Sequence, residues 1–177
     1  MQGKTVVITG ATSGIGEVTA IHLAEQGARI VFVARDARRE EATRSRLAGG
    51  GHSYHLADLS TLAEMKRVGA EIAAAEPRID VLMNNAGALF ASRKLTADGL
   101  ESTFAVNHMA YFVLTALLRE RVVPGGRIVN TASAAHWGAS LNFDDLQSAR
   151  GFSAYGVYQR SKLCNILFTR ALAKRLD

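Results

Sequence analysis

The sequence predicts a doubly wound α/β fold, in which helices cover both faces of a parallel sheet. Short apolar runs of strand length alternate with segments of helical period along all 177 residues. This alternation is the order that gives a parallel sheet with helices on both faces. The 48% apolar and 21% charged residues are ordinary for a soluble globular protein, and no linker or repeat interrupts the chain. We therefore expect residues 1–177 to form a single domain.

Capping and breaking residues bound the elements of the first half. Gly27 supplies a C-cap for the first helix, and Asp36 can cap the second. Thr61 and Glu64 have the spacing of a capping box for the third helix, which Pro77 closes. The expected strands are 5–9, 29–34 and 53–57, and the expected helices are 15–26, 37–47 and 61–76.

The second half adds two strands and two long helices. The segment 103–121 carries apolar residues all round, as a helix buried between two layers does. A turn at Gly125–Gly126 leads into the fifth strand. The stretch 134–153 is polar with little periodicity, and we expect it to border a site because long loops in compact domains are often functional. The expected strands are 79–83 and 127–131, and the expected helices are 103–121 and 155–176.

Composition and residue spacing exclude several functions. The net charge of +5 is spread over scattered basic residues without a basic stripe, so we expect no nucleic-acid partner. The five histidines are dispersed, which argues against a metal site. The single cysteine, Cys164, is expected to be a buried core thiol. No apolar stretch approaches the ~20 residues that span a bilayer, and the first strand begins close to Met1, so we expect a cytoplasmic protein without a membrane span.

A glycine-rich loop, TGATSGIG at residues 9–16, follows directly on the first strand. Gly10 allows the sharp turn, Gly14 leaves room for a pyrophosphate, and Gly16 permits close packing of helix on strand. The free N–H groups at the start of the helix would face the phosphates. Tight turns alone also explain such loops, but the strand and helix around it favour a dinucleotide site. The expected binding residues are Gly10, Thr12, Ser13, Gly14, Ile15 and Gly16.

The end of the second strand indicates which dinucleotide binds. An enzyme that selects NAD places an acid there, against the ribose 2′-OH, whereas this chain has Ala34 followed by Arg35. A guanidinium suits a 2′-phosphate. We therefore expect NADP(H), with NAD(H) as the alternative because Asp36 lies close by. A solvated charge at the helix entry is the other interpretation of Arg35.

Polar residues also follow the third and fourth strands, at the edge where doubly wound sheets bind ligands. Asp58, in the run ADLS, can accept from the adenine amino group or act as a cap or turn residue. The small residues of NNAG, 84–87, let a nicotinamide ribose approach, and turn chemistry alone also explains them. The expected cofactor-binding residues here are Asp58, Leu59, Asn85, Ala86 and Gly87.

The sharpest pattern is YQRSK, in which Tyr158 and Lys162 share one helix face. A free tyrosine has a pKa of about 10 and is a poor proton shuttle at neutral pH, whereas a neighbouring cation favours the phenolate. A surface pair with this spacing also occurs by chance. Tyr155 offers an internal comparison, because the residue four positions on is the uncharged Gln159.

Taken together, TGxxxGxG, NNAG, VNH, IVNTAS and YxxxK in this order resemble the short-chain dehydrogenase/reductase family, over essentially the whole chain. The resemblance implies a Rossmann fold and four catalytic residues. Tyr158 would be the general acid/base, and Ser133 would hydrogen-bond the substrate carbonyl or hydroxyl. Lys162 would hold the nicotinamide ribose and support the tyrosine, and Asn107 would bind a water of the proton relay. Tyr158 and Lys162 are thus expected in both the catalytic and the cofactor-binding sets.

Three longer runs, GLESTFAVNHMAYFVLTALL, NFDDLQS and YQRSKLCNILFTRALAKRL, are similar to the subgroup of the retinol dehydrogenases and the WW-domain-containing oxidoreductase. This implies an NADP-linked enzyme acting on a carbonyl or alcohol of an apolar small molecule. A non-catalytic dinucleotide-binding or interaction protein of the same fold is the alternative. His136 and Trp137 either line a substrate pocket or anchor their loop.

Family members continue beyond the helix that bears Lys162, so the resemblance implies a fold that is incomplete at its C-terminus. With the strand order 3-2-1-4-5-6, the outer edge of strand five would be unpaired in this chain. We also expect a homo-oligomer in the complete protein.

Overall fold

The computed structural model describes residues 1–176, which form a parallel sheet with helices on both faces. The strands are β1 (Thr5–Thr9), β2 (Arg29–Ala34), β3 (Ser53–Leu56), β4 (Ile79–Asn84) and β5 (Val122–Asn130). The helices are α1 (Gly14–Glu25), α2 (Ala37–Arg44), α3 (Leu62–Ala75), α4 (Ser102–Phe104), α5 (Ala110–Leu118) and α6 (Ala154–Ala173). The strand order is β3-β2-β1-β4-β5, with every neighbouring pair parallel. The predicted doubly wound α/β class, the Rossmann fold, is confirmed.

The strand β2, RIVFVA, shows why a strand at the centre of the sheet is apolar at all but its first position. Its side chains alternate between the two faces of the sheet. Val31 and Val33 pack into the core that α3 and α5 cover, while Ile30 and Phe32 pack into the core that α1 covers. Because helices bury both faces, every β2 position after Arg29 carries an apolar residue.

The caps of α2 and α3 form, with two differences from the predicted elements. Asp36 accepts the backbone N–H of Arg39 at 3.0 Å, but α2 ends at Arg44, before the predicted residue 47, as the chain turns toward the glycines that precede β3. Thr61 accepts the N–H of Glu64 at 3.4 Å. The reciprocal half of that capping box is absent, because the Glu64 carboxylate pairs with Arg67 at 2.8 Å instead.

The predicted helix 103–121 is interrupted and only partly buried. Between α4 and α5 lies a π-helical turn, Ala105–Met109, in which the N–H of Ala110 bonds to the carbonyl of Ala105, five residues back. We call residues 105–109 the π segment. Tyr111 is fully buried against the core beside α3, whereas Phe112 is 48% exposed. The expectation of burial on all sides was wrong because α5 packs on the sheet and on α3 with one face only.

The strand β5 and the helix α6 also differ from the predicted bounds. Gly125 and Gly126 lie inside β5, where the register against β4 shifts, rather than in a turn before it. A Cβ on Gly126 would lie 3.0 Å from the carbonyl oxygen of Asp80, so the two strand backbones approach closely there. The helix α6 ends at Ala173, three residues short of the predicted 176. Short 3₁₀ turns at Ala134–His136 and Phe143–Asp145 interrupt the predicted loop.

The sheet grows from β1 toward β3 on one side and from β4 toward β5 on the other. The loops that follow β1 and β4 therefore diverge and leave a crevice between them, at the point where doubly wound sheets bind ligands. Both loops are tied at this point, since Thr9 Oγ1 accepts the N–H groups of Asn85 and Ala86 at 3.0 Å each. The predicted site residues lie around this crevice.

Candidate active site

A cavity of about 950 Å³ opens at the carboxyl edge of the sheet. Its wall includes every predicted cofactor-binding residue and three of the four predicted catalytic ones, so residues from Gly10 to Lys162 meet in one place. Those residues are Gly10, Thr12, Ser13, Gly14, Ile15, Gly16, Arg35, Asp58, Leu59, Asn85, Ala86, Gly87, Ser133, Tyr158 and Lys162. The fourth predicted catalytic residue, Asn107, is not part of the wall.

The glycine loop approaches its neighbours too closely for side chains. A Cβ on Gly10 would lie 2.7 Å from the Ala86 Cα, and one on Gly16 would collide with the Gly10 carbonyl and the Asn85 amide. Gly14 adopts a φ of +55°, in the left-handed region that favours glycine. The loop thus lies flat against the β4 loop, and the first turn of α1 faces the cavity with its free N–H groups.

Two arginines and one carboxylate line the cavity beyond the end of β2. Arg35 and Arg39 are both exposed on its wall, and sequence reasoning missed Arg39. The signal for it was the run ARDARRE, which places Arg39 in the first turn of the predicted helix, next to the capping residue Asp36 and Arg35. The Asp36 carboxylate caps α2, and the hydrogen bond from the Arg39 backbone holds its pKa below the usual range.

Asp58 acts locally as a turn residue. Its Oδ1 accepts the N–H of Ser60 at 3.0 Å, while Thr61 is the N-cap of α3. The helix-cap interpretation of Asp58 is therefore wrong, because the N-cap position of α3 lies three residues later. The Asp58 carboxylate still belongs to the cavity wall.

The two asparagines of NNAG tie three strands together. The Asn84 Nδ2, fully buried, donates to Thr115 Oγ1 at 2.9 Å and to Asn130 Oδ1 at 2.8 Å. The Asn85 Nδ2 donates to the carbonyls of Thr9 and Gly10 at 3.1 and 3.3 Å. The NH₂ groups of both side chains are thus engaged with protein, and the small residues Ala86 and Gly87 line the cavity together with Asn85.

Lys162 is almost completely buried, at 3% exposure, beside the ring of Tyr158. Its Nζ donates to the carbonyl oxygen of Thr131 at 3.0 Å and lies 5.6 Å from the centroid of the Tyr158 ring and 5.8 Å from that of Tyr111. No carboxylate in residues 1–176 forms an ion pair with it. Burial lowers the pKa of the Lys162 ammonium. The ammonium is thus held by a carbonyl and two aromatic rings.

Ser133 begins the 3₁₀ turn after β5, and its hydroxyl proton is available to the cavity. The Ser133 Oγ accepts the N–H of Ala135 at 3.1 Å, which uses a lone pair and leaves the O–H free to donate. Gln159, next to Tyr158, donates from Nε2 to the Ala135 carbonyl at 2.9 Å. This bond ties the Ser133 turn to the helix that carries Tyr158.

Asn107 lies behind the wall, fully buried in the π segment. Its Oδ1 accepts the N–H of Ala88 at 2.7 Å, and its Nδ2 donates to the Ala88 carbonyl at 2.9 Å and to Ser161 Oγ at 3.1 Å. Both amide hydrogens are in use, so the side chain has no donor left for a relay water. Its structural effect is to hold Ala88, which does line the cavity.

His136 and Trp137 follow Ser133 but are not among the cavity-lining residues. The His136 Nδ1 lies 2.7 Å from the Ser133 carbonyl oxygen, and the Trp137 ring packs on it with 4.9 Å between centroids. Trp137 is 75% exposed. The contacts of His136 match those of a loop anchor.

Cys164 is the buried thiol that the sequence predicted, and burial raises its pKa to about 11. Within residues 1–176, no three His, Cys, Asp or Glu side chains gather as metal ligands would. Over the same residues, no helix combines the length and the apolar character that crossing a membrane requires. The cytoplasmic location stays a prediction.

A Rossmann sheet with a glycine loop after its first strand is the architecture of the dinucleotide-binding α/β proteins. Here a Tyr–Lys pair lies beside the crevice of that sheet. The family model described as "short chain dehydrogenase" matches residues 4–177, so the chain belongs to the short-chain dehydrogenase/reductase family. Human retinol dehydrogenase 12 is 41% identical over 183 residues, which cover 100% of this chain and 58% of the human protein. The predicted resemblance to the retinol dehydrogenase subgroup is confirmed.

Solved structures show the same fold. A Mycobacterium paratuberculosis protein superposes with a TM-score of 0.89 at 40% identity, covering 99% of this chain and 63% of that one. A short-chain dehydrogenase of Burkholderia cenocepacia in complex with NADP has a TM-score of 0.79 at 28% identity, covering 99% and 69%. The chain spans 55% to 62% of the length of the first curated relatives it matches.

Proposed function

We propose that residues 1–177 form the dinucleotide-binding and catalytic domain of an NADP(H)-dependent oxidoreductase. It would move a hydride between nicotinamide and a carbonyl or alcohol of an apolar substrate, with Tyr158 as general acid/base. The observation that carries this proposal is the single cavity that joins the glycine loop, two arginines and the group of Ser133, Tyr158 and Lys162.

The dimensions of the sheet edge support an extended ligand. Arg35 follows β2, and Ser133 follows β5 after two more residues, with β1 and β4 between these strands. Three steps between strands of ~4.8 Å each separate the two ends by roughly 14 Å. A ligand that contacts both ends has to lie along the edge, as a dinucleotide does in folds of this type.

The residues along this edge fit NADP(H). The backbone N–H groups at Ser13, Gly14 and Ile15 would hold the pyrophosphate, because Gly14, where an added Cβ would meet no protein atom within 4 Å, has no side chain to fill the cradle. Ala86 and Gly87 would face the nicotinamide ribose. When bound, the cofactor supplies or accepts the hydride.

Preference for the 2′-phosphate rests on charge at the other end of the cavity. Arg35 and Arg39 are both exposed there, and two guanidinium groups suit a phosphate better than a hydroxyl. Asp36, the residue that kept NAD(H) as an alternative, uses a carboxylate oxygen to cap α2 at 3.0 Å. The NADP complex of the Burkholderia relative is consistent with this preference.

Proton transfer would take place at the end of the cavity opposite Arg35 and Arg39, where Ser133 and Tyr158 lie. In the direction of reduction, the Tyr158 hydroxyl donates its proton to the substrate oxygen, while the Ser133 O–H holds the same oxygen by a hydrogen bond. The Lys162 ammonium, 5.6 Å from the Tyr158 ring, then stabilises the phenolate that remains. Oxidation of an alcohol runs the same steps backwards.

Apolar side chains close to this end support an apolar substrate. Leu89 and Phe90 follow the NNAG loop, and Val106 belongs to the π segment; all three line the cavity. They offer surface to hydrocarbon and no charged group to a polar substrate. The name of the human relative, a retinol dehydrogenase, is consistent with an apolar alcohol as well.

A screen of aldehydes and ketones against the complete gene product, with NADPH and NADH compared, tests the proposal. We expect carbonyl-dependent oxidation of NADPH, faster on apolar substrates than on charged ones of similar size. Tight NADPH binding with no turnover across the screen would instead support the non-catalytic alternative. Failure to bind either nucleotide would contradict both.

We also propose a homo-oligomer for the complete protein. Phe112 and Leu117 on α5 and Leu167 on α6 are exposed apolar residues on neighbouring helices, which a second copy could cover. Size-exclusion chromatography with light scattering should give a mass of at least twice the monomer. A monomer at micromolar concentration would contradict this.

A further inference from the structure

A buried amide on α6 contacts the π segment from behind the cavity. Asn165 is fully buried, and its Nδ2 donates to the backbone carbonyl of Asn107 at 2.8 Å. Its Oδ1 lies 3.0 Å from the Nδ1 of His108, the next residue. Both contacts join the helix that carries Tyr158 and Lys162 to the turn that carries Asn107.

The chemistry of these contacts fixes the orientation of both side chains. A carbonyl oxygen can only accept, so the NH₂ group of Asn165 faces Asn107 and its oxygen faces His108. The ring of His108 then carries a hydrogen on Nδ1. Burial lowers the pKa of His108, which favours the neutral ring. An apolar residue at position 165 would leave both the Asn107 carbonyl and the His108 N–H without these partners.

Asn107 connects the π segment to the cavity wall. Its side chain makes two hydrogen bonds with the backbone of Ala88, and a third with Ser161, the neighbour of Lys162 in sequence. Next to Ala88 lies Gly87, where an added Cβ would stand 3.4 Å from the Asn107 Oδ1 and 3.6 Å from the Lys162 Nζ. A shift of the π segment would therefore move the wall at the point where it meets the lysine.

We infer that Asn165 is a positioning residue of this site. It holds the Asn107 carbonyl, and through Asn107 it keeps the Gly87–Ala88 backbone against Lys162. Asn165 itself is not among the cavity-lining residues, so it acts on the reaction only through Asn107. The predicted effect on turnover rests on the proposed function, whereas the predicted effect on the backbone does not.

Hydrogen exchange tests the structural part in the complete gene product without ligand. We expect the Ala88 amide, which donates to Asn107 at 2.7 Å, to exchange at least about tenfold faster in Asn165→Leu and Asn165→Ala than in the wild type. Leucine has about the volume of asparagine or more, whereas alanine is smaller and cannot crowd its neighbours. Faster exchange in both variants would therefore result from the lost hydrogen bonds and not from a change in packing. Thr169→Val is the matched control, because it removes the hydrogen bond from Asn130 to α6 and a bond within α6 to the Asn165 backbone carbonyl, and it leaves the Asn165 side chain in place.

An unchanged Ala88 exchange rate in either folded variant would overturn the inference. So would an equal acceleration in Thr169→Val, since that would show a general loosening of α6. This readout requires no turnover, so it stands even where the screen finds no substrate.

Kinetics test the functional part with any carbonyl substrate that the screen identifies. We expect kcat to fall between about tenfold and a hundredfold in Asn165→Leu, with the NADPH Kd changed less than about threefold. In an Asn107→Ala background, the same substitution should lower kcat by less than about twofold more, because the link to Ala88 is already gone. Additive losses, or a kcat equal to that of the wild type, would contradict a role through Asn107. A wild type without turnover would contradict the proposed function alone.

Discussion

The Lys162 Nζ lies 5.6 Å from the centre of the Tyr158 ring and donates a 3.0 Å hydrogen bond to the Thr131 carbonyl. The accepting carbonyl belongs to the residue that follows β5, whereas the tyrosine lies one turn from Lys162 on α6. Two separate elements thus hold a buried ammonium against one phenol. Burying a cation without a carboxylate partner is costly, so the arrangement is easier to explain by chemistry than by stability.

The charge of Lys162 should serve activity rather than folding. Lys162→Met keeps the length of the side chain and removes the ammonium. We expect kcat to fall at least about a hundredfold, because the phenolate loses its cation. The free energy of unfolding should change by less than about 1 kcal/mol, since a buried charge is removed together with its hydrogen bond. Turnover and urea unfolding of the same preparation check this; large destabilisation with retained kcat would contradict it.

Arg35 should select NADPH. Arg35→Ala is expected to raise the NADPH Kd about tenfold or more, equivalent to about 1.4 kcal/mol, and to change the NADH Kd by less than about twofold. The reason is the loss of a guanidinium from the cavity wall near the expected 2′-phosphate. Arg38→Ala is the matched control, as Arg38 is an exposed arginine three residues further on, in the first turn of α2, and is not a lining residue. A wild type that binds NADH more tightly than NADPH would show that the selectivity is assigned wrongly.

The packing of the glycine loop should be intolerant of one methyl group. A Cβ at Gly16 would collide with the Gly10 carbonyl, so Gly16→Ala has to shift the loop. We expect a destabilisation of about 1 to 3 kcal/mol and weaker NADPH binding by about tenfold or more. Gly50→Ala is the control, because a Cβ there meets no atom within 4 Å. Titration of NADPH and thermal unfolding measure both effects, and equal behaviour of the two variants would refute the packing argument.

Asp80 should make stability depend on acid pH. Burial raises the pKa of this carboxyl, but hydrogen bonds from Arg78, Thr5 and Lys4 outweigh burial and lower the pKa to about 2. The value in an unfolded chain is about 3.9, so the carboxylate contributes fully above that pH and is lost as pH falls through about 2. The difference in unfolding free energy between wild type and Asp80→Asn should therefore shrink between pH of about 5 and about 2. A difference that stays constant over this pH range would contradict the assignment.

Local signals predicted the fold well. The strands β1 and β2 begin and end at the predicted residues, because an apolar run buried on both faces is complete in the sequence itself. The caps at Asp36 and Thr61 are contacts between residues three positions apart, so short-range patterns suffice. The crevice follows from strand order, which the connection rules constrain.

Long-range contacts account for what the sequence did not predict. The register shift that places Gly125 and Gly126 inside β5 depends on its pairing with β4. The apolar pattern of 103–121 gives no sign of the π segment. The position of Asn107 behind the cavity wall depends on its hydrogen bonds with Ala88 and Asn165, which are distant in sequence. Arg39 was missed for a simpler reason, as only its neighbour Arg35 stands at the expected ribose position.

The measurement that tests the account most directly is kcat together with the NADPH Kd of Tyr158→Phe. The substitution removes one hydroxyl and leaves the ring beside Lys162, so we predict loss of turnover with a Kd within about threefold of the wild type. Tyr155→Phe is the matched control on the same helix, 57% exposed, and should retain its kcat. Near wild-type turnover in Tyr158→Phe would contradict the assignment of Tyr158 as the general acid/base.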